Sequence, residues 1–182
     1  VYGFLTCLGE RVLHLWRFLR LGYDRGPWVV RDLTDDRVAV LTRAVGHLTG
    51  EAHLLKGFTR FSEQEGVLVG EIAPKNRVLP LLRPHFCARY PEESFVLYDR
   101  THREALFYRP RRWAIVPLEA FRAAAPGREE RDFRRLWRRF YDTIAIEGRE
   151  NPRCRMTQMP KRFWGTMTEF QNETEERKEL AP

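Results

Sequence analysis

The chain is poor in cysteine and lysine and has no long apolar run. Its three cysteines, Cys7, Cys87 and Cys154, are odd in number and far apart, with no CxxC or Cys/His spacing. That argues against a disulfide framework and gives no signature of a zinc site or an iron–sulfur cluster. A reducing cytoplasm is the expected compartment. No segment approaches the ~18–20 apolar residues of a membrane span, and no basic n-region leads into an apolar h-region and cleavage site. No membrane is therefore expected as a partner. Also absent are the GxxxxGK[ST] phosphate loop, the dinucleotide fingerprint, the GxSxG elbow and HExxH. The commonest nucleotide-dependent and hydrolytic classes are disfavoured, and no cofactor or metal is expected.

What is present is a globular composition of 182 residues, 43% hydrophobic and 13% aromatic, enough for one core. The net charge of +7 is carried by 28 Arg against 4 Lys. Guanidinium forks suit phosphate and carboxylate, so an anionic partner is favoured. A GC-rich genome that writes Arg for Lys accounts for the same count, and composition alone does not separate the two.

Apolar residues recur at three and four from Phe4 to Leu21 (Leu5, Leu8, Val12, Leu15, Trp16, Leu19) and predict a helix stopped at Gly22 and the following "RGP". Thr34 as N-cap, followed by Val38, Leu41, Val45, Leu48, Ala52 and Leu55, predicts a second helix ending at Gly57. "GFTRFSEQEGVLVGEIAP" reads as two strands around a polar turn. Pro80 can open a helix through "LLRPHFCARY", which Pro84 is expected to break or delay. "ESFVLYD", "REALFYR" and "RWAIVPL" form a three-stranded meander. Phe133, Leu136, Trp137, Phe140, Tyr141 and Ile144 give the clearest helical stripe, opposite Arg131, Arg134, Arg135, Arg138 and Arg139. Asn151 and Pro152 then read as N-cap and first residue of a helix, and Pro160 starts a further short piece. The expected fold is α+β: an antiparallel sheet, hairpin plus meander, packed with N-terminal and C-terminal helices. Residues 1–170 are expected to form one domain and 171–182 a polar, disordered tail. The abrupt start at Val1 suggests that residues ahead of the first helix are missing.

Three constellations are candidates for function. Residues 128–162 hold eleven basic against six acidic side chains, and within them Arg153, Lys161 and Arg162 lie beside proline-opened helix starts that favour anions. Phe163 and Trp164 can stack on a base, or pack inward with Met156, Met159 and Met167 at helical spacing. In "GEAHLLKGFTRF", His53 and Lys56 share a helix face near Glu51, with Arg60 in the following strand; a solvated face reads the same way. In "LLRPHFCARYPEESFVLYD", His85 and Asp99 form an acid/base pair if the fold joins them, beside Arg89, whereas a core histidine and a turn-starting aspartate fit equally well.

"EAHLLKGFTRF", "VLPLLRPHFCARYPEESFVLYD" and "LWRRFYDTIAIEGRENPRCRMTQMPKRFW" resemble, in that order, the blocks of a bacterial family grouped under DNA metabolism and DNA repair, whose shared domain has no assigned function. Its members show an "EAHRMKGFVRF"-like run, an "LLxPHFxxRFP" run followed by Asp, and an "RxNPRLQxxxMPxRYW" run. The resemblance covers roughly Leu5 to Phe170. It implies a genomic neighbour, a radical SAM protein similar to spore photoproduct lyase, and longer relatives carrying a uracil-DNA glycosylase-like domain. His53, Lys56, Arg60, His85, Arg89, Asp99, Asn151, Arg153, Lys161, Arg162 and Trp164 fall in the blocks, with no catalytic role implied for any. The leading expectation is a DNA-repair accessory protein that binds DNA through Arg60, Arg89, Arg153, Lys161, Arg162 and Trp164 and works with the radical SAM protein. The alternatives are a nucleic-acid-processing enzyme using His85, Asp99, His53 and Lys56 on a damaged base or phosphodiester, and a protein scaffold without DNA affinity.

Overall fold

The computed structural model describes residues 1–119, 121, 134, 136, 137 and 151–170. The chain divides into two compact units, Val1–Gly57 with Pro74–Phe86, and Phe58–Ala73 with Cys87–Pro182. The polar tail expected over 171–182 lies outside the described residues, as does all of the helix expected around 133–144 except Arg134, Leu136 and Trp137, which are helical.

The first unit is built on α1 (Arg11–Arg25) and α2 (Asp36–Phe58). On α2 the expected spacing holds: Val38, Leu41, Leu48, Ala52 and Leu55 are buried on one stripe. The start of the helix shifts to Asp36, because the carbonyl of Asp35 accepts from Val38 N and Ala39 N while the Thr34 hydroxyl turns to Asp32. The helix expected from Phe4 is instead a short 3₁₀ turn at Tyr2–Leu5 followed, after Glu10 in the left-handed region (φ 49°), by α1. Tertiary bonds override the periodicity there, since Leu5 O accepts from Arg77 N and Cys7 N donates to Asn76 Oδ1. These groups would otherwise continue a helix. The apolar stripe also faces outward: Val12, Trp16 and Leu19 are 68%, 55% and 63% exposed. Leu15 and Phe18 line, with Val38 and Leu41, an apolar cavity of about 530 Å³. Gly26, with φ at 84°, ends α1 by donating its N–H to Gly22 O at 2.8 Å, four residues later than expected.

The second unit carries a five-stranded sheet in the order β1 (Phe61–Gln64), β2 (Val67–Ile72), β3 (Ser94–Asp99), β4 (Glu104–Arg109), β5 (Arg112–Pro117). β2 to β5 lie where alternation and turn residues predict them, whereas β1 takes Ser62, Glu63 and Gln64 from the expected "SEQEG" turn. Glu65 and Gly66, both at positive φ, close β1 on β2 in the manner of a type I′ turn. The sheet is antiparallel except at its centre, where β2 and β3 run parallel. The hairpin and the meander are thus joined by a crossover rather than a further hairpin, and the crossover carries α3 (Leu79–Arg89). Pro84 sits inside α3 without breaking it. Only the bond from position 84 back to the carbonyl of Pro80 is forfeited, and the ring lies in solvent.

Phe95, Leu97, Leu106 and Tyr108 form the buried sheet face, on which Phe61 and Tyr90 meet Phe95 edge-on and Tyr108 stacks at 4.9 Å. Gly70 opposes Phe61 in the ladder, and the close approach of that ring leaves a Cβ tighter than ordinary contact. Near the C-terminus lie α4 (Pro152–Gln158) and a 3₁₀ helix over Lys161–Thr166, which packs on β2. The mixed α+β class is therefore as expected.

Candidate functional site

All six residues expected to contact nucleic acid belong to the second unit, and four of them come from the C-terminal segment. Asn151 caps α4 by accepting from Cys154 N at 3.0 Å, and Pro152 follows as the first helical residue. The helix has only seven residues, and its cap already uses one exposed N–H. Side-chain cations, rather than a helix terminus, are therefore what this segment offers an anion. Met159 closes α4, and its carbonyl accepts the indole N–H of Trp164 at 3.0 Å. That bond folds the 3₁₀ helix back beside α4.

Trp164 stacks on Phe170 at 4.6 Å with the rings 18° from parallel. Arg155 lies 5.2 Å from the Trp164 centroid and 5.6 Å from that of Phe170. Lys161 Nζ is 5.7 Å from Trp164, and the Arg162 guanidinium is 4.6 Å from the buried ring of Phe163. Three cations thus sit on aromatic rings of one short segment, each attracted by a ring face and each spared some of the rotamer freedom it would lose on meeting a ligand. Arg153, Lys161 and Arg162 are exposed. Phe163 packs inward, as does Met167, and Phe58 meets Phe163 at 5.5 Å. Trp164 spends one face on Phe170 and its N–H on Met159.

Arg155 is the residue that sequence reasoning passed over. Its Nε is buried, with no hydrogen-bond partner among the described residues. The signal was present as spacing, since Arg155 lies nine residues before Trp164 with Pro160 turning the chain between them. Arg89, exposed at the end of α3, bonds Tyr90 Oη at 3.3 Å and lies 5.7 Å from its ring, and Arg60 reaches the carbonyl of Thr59.

The expected catalytic residues are distributed differently. His53 and Lys56 stand on α2 and His85 on α3, all in the first unit. His53 is exposed, and the ring of half-buried His85 meets Phe86 edge-on at 5.0 Å. Glu51 is not part of their face. It is buried, and its carboxylate accepts from Lys75 N, Asn76 N and Asn76 Nδ2. That is structural work within the first unit.

Asp99 ends β3 in the second unit, fully buried. The imidazole against it is that of His102, whose Nδ1 lies 2.7 Å from Asp99 Oδ2, while Asp99 Oδ1 accepts from Thr101 N and His102 N. Burial pushes the Asp99 carboxyl above its ordinary pKa, and the hydrogen bond from His102 opposes that rise. With Nδ1 as donor, the contact with Asp99 fixes the orientation of the ring and leaves Nε2 for other partners. The sequence signal for this pair was its three-residue spacing across a turn.

No helix among the described residues is long and apolar enough to cross a membrane. No curated protein and no solved structure matches the chain. A family model, that of the domain of unknown function DUF4130, matches residues 9–169. Spanning both units and the aromatic–cation segment, that match places the chain in the DUF4130 family.

Proposed function

We propose that this protein is a nucleic-acid-binding accessory factor of DNA repair, which holds DNA while a radical SAM partner performs the chemistry, in the cytoplasm. The observation that carries the binding half is the seating of Arg155, Lys161 and Arg162 on the Trp164, Phe170 and Phe163 rings, with Arg153 exposed on the adjoining helix. Positively charged groups held on aromatic rings along one short segment suit phosphates, and a net charge of +7 favours encounter with a polyanion. The link to repair and to the radical SAM protein rests on the resemblance of the three sequence blocks. A labelled DNA should bind at low salt, weaken steeply as salt rises, and be lost on combining Arg153→Glu, Lys161→Glu and Arg162→Glu in a protein of unchanged circular dichroism. Equal retention of DNA by that variant sinks the reading of this surface. Capture of the radical SAM protein without any DNA affinity supports the scaffold alternative instead.

The contact between Asp99 and His102 favours a second reading, an enzyme acting on nucleic acid, with His102 moving the proton. Under it, His102→Ala remains folded and binds DNA but loses turnover of a damaged oligonucleotide, with Asp99→Asn shifting the pH profile. Turnover unchanged in both variants removes this reading.

A further inference from the structure

We infer that the β4–β5 hairpin is a second nucleic-acid contact, fitted to an unpaired strand; this rests on the reading of the chain as a nucleic-acid-binding protein. The hairpin reads "LFYRPRRWAIV" from Leu106 to Val116. Arg109 pairs with Arg112 across the ladder, and Phe107 with Ala114. Directly opposed residues share a face, and residues two apart along a strand do so as well, so these four side chains lie on one side of the hairpin. Leu106 and Tyr108 point the other way and are buried. The shared face is open: Phe107 is 38% exposed, and Arg109, Arg112 and Ala114 are exposed too.

Local physics disfavours these arginines. Two guanidinium groups directly across a ladder repel. Between them, Pro110 followed by Arg111 at φ 65° has the order of a type II turn, whose second central position suits Gly or Asn. The β1–β2 hairpin shows the contrast, with Gly66 in its turn and Gln64 opposite Val67. Among the described residues no carboxylate pairs with Arg109, Arg111 or Arg112. Three cations held at one tip without a carboxylate among the described residues, against repulsion and turn preference, are what a phosphodiester backbone would relieve. Phe107 decides the form of the nucleic acid. An exposed ring in the same row as two guanidinium groups, facing an alanine too small to cover it, offers a platform for a base, which a duplex keeps within its own stack.

The test is fluorescence anisotropy with a short labelled oligothymidylate and a duplex of equal length, over a salt series. The variants are Arg109→Ser/Arg111→Gly/Arg112→Ser, Phe107→Ser, and the Arg153/Lys161/Arg162 charge reversal. The hairpin triple variant is expected to lose single-strand affinity at least ~10-fold and to show a log–log salt slope shallower by about 2. Its unfolding midpoint should equal or exceed the parent's, because glycine suits the turn and the like charges are gone, so misfolding cannot mimic the effect. Phe107→Ser should weaken single-strand binding with the slope kept. Binding that survives the hairpin variant but is lost in the charge reversal overturns this inference alone. Duplex bound as tightly as single strand, with Phe107→Ser without effect, overturns the assignment to an unpaired strand. No binding of either oligonucleotide by the parent protein overturns the proposed function itself.

Discussion

Replacing Glu51 by Gln removes a charge and little volume, so it isolates what the carboxylate does inside the first unit. Oε1 accepts from Lys75 N at 3.0 Å, and Oε2 accepts from Asn76 N at 2.9 Å and Asn76 Nδ2 at 2.7 Å. Gln keeps at most one of these oxygens and turns its own N–H groups toward a backbone donor. One bond is lost outright and two become neutral, a cost of about 2–4 kcal/mol, which the easier burial of an amide reduces to about 2 kcal/mol. Glu51→Ala leaves all three donors without the carboxylate and should cost about 3–5 kcal/mol. Because Asn76 Oδ1 also takes Cys7 N, the pair ties α2, the segment before α3 and the N-terminal 3₁₀ turn together. Urea unfolding followed by circular dichroism, with a double-mutant cycle of Glu51→Gln and Asn76→Ala, should return a coupling of about 1 kcal/mol or more. A loss under ~0.5 kcal/mol for Glu51→Gln together with zero coupling refutes the anchoring role.

Gly70→Ala places a Cβ 3.0 Å from the Phe61 ring and 3.2 Å from the carbonyl of Arg60; a loss of about 1–3 kcal/mol in urea unfolding is expected, partly relieved by Phe61→Leu, and a neutral effect contradicts the packing. Asp35 is held at a pKa of about 2, chiefly by the side-chain hydrogen bond from Arg37. Its folded value is depressed, so its contribution is present above the unfolded value of about 3.9 and lost as pH falls through the folded one. Asp35→Asn should therefore flatten the acid limb of stability there, and an unchanged limb refutes the pairing. Asp99 has the opposite sign: burial raises its pKa, so its contribution is complete below the unfolded value and is lost as pH rises through the raised one. Asp99→Asn should make the stability–pH profile flatter above about pH 4, and a profile as steep as the parent's counts against the buried-carboxylate account.

Strand positions were largely legible because turn residues are local: "RTH" and "PR" mark two reversals, whereas in "SEQEG" only Glu65 and Gly66 turn the chain and the polar residues before them pair in β1. The parallel pairing of β2 with β3 was not legible, since nothing in a strand's own residues distinguishes the two senses when α3 supplies the crossover. The first helix failed for a related reason. Its apolar spacing is genuine, but Asn76 and Arg77, some seventy positions away in sequence, capture the backbone of Leu5 and Cys7. At the site, the cap Asn151 and the inward packing of Phe163 and Met167 followed from residue type and spacing. The partner of Asp99 did not, because a search for chemistry-bearing residues passed over His102, three positions along and classed as turn. Arg155 was one basic residue among eleven until Trp164 and Phe170 gave it a position.

Composition could not separate a phosphate-binding surface from a genome's preference for arginine, whereas placement bears on the choice. A mutational bias sets how many arginines a chain carries and is indifferent to where the rings lie. Yet Arg89, Arg155 and Arg162 each stand within 6 Å of an aromatic centroid in the second unit. A ring attracts a guanidinium through its flat face, whereas a phosphate is met by the N–H groups at its edge, so the two contacts are compatible. Lys161, one of only four lysines, stands by Trp164 as a point charge. At the β4–β5 tip the case is stronger, because there arginine is opposed by its cross-strand neighbour and by the turn. Local structure gains nothing from arginine at these positions, and an anionic ligand is the partner that would make use of all three.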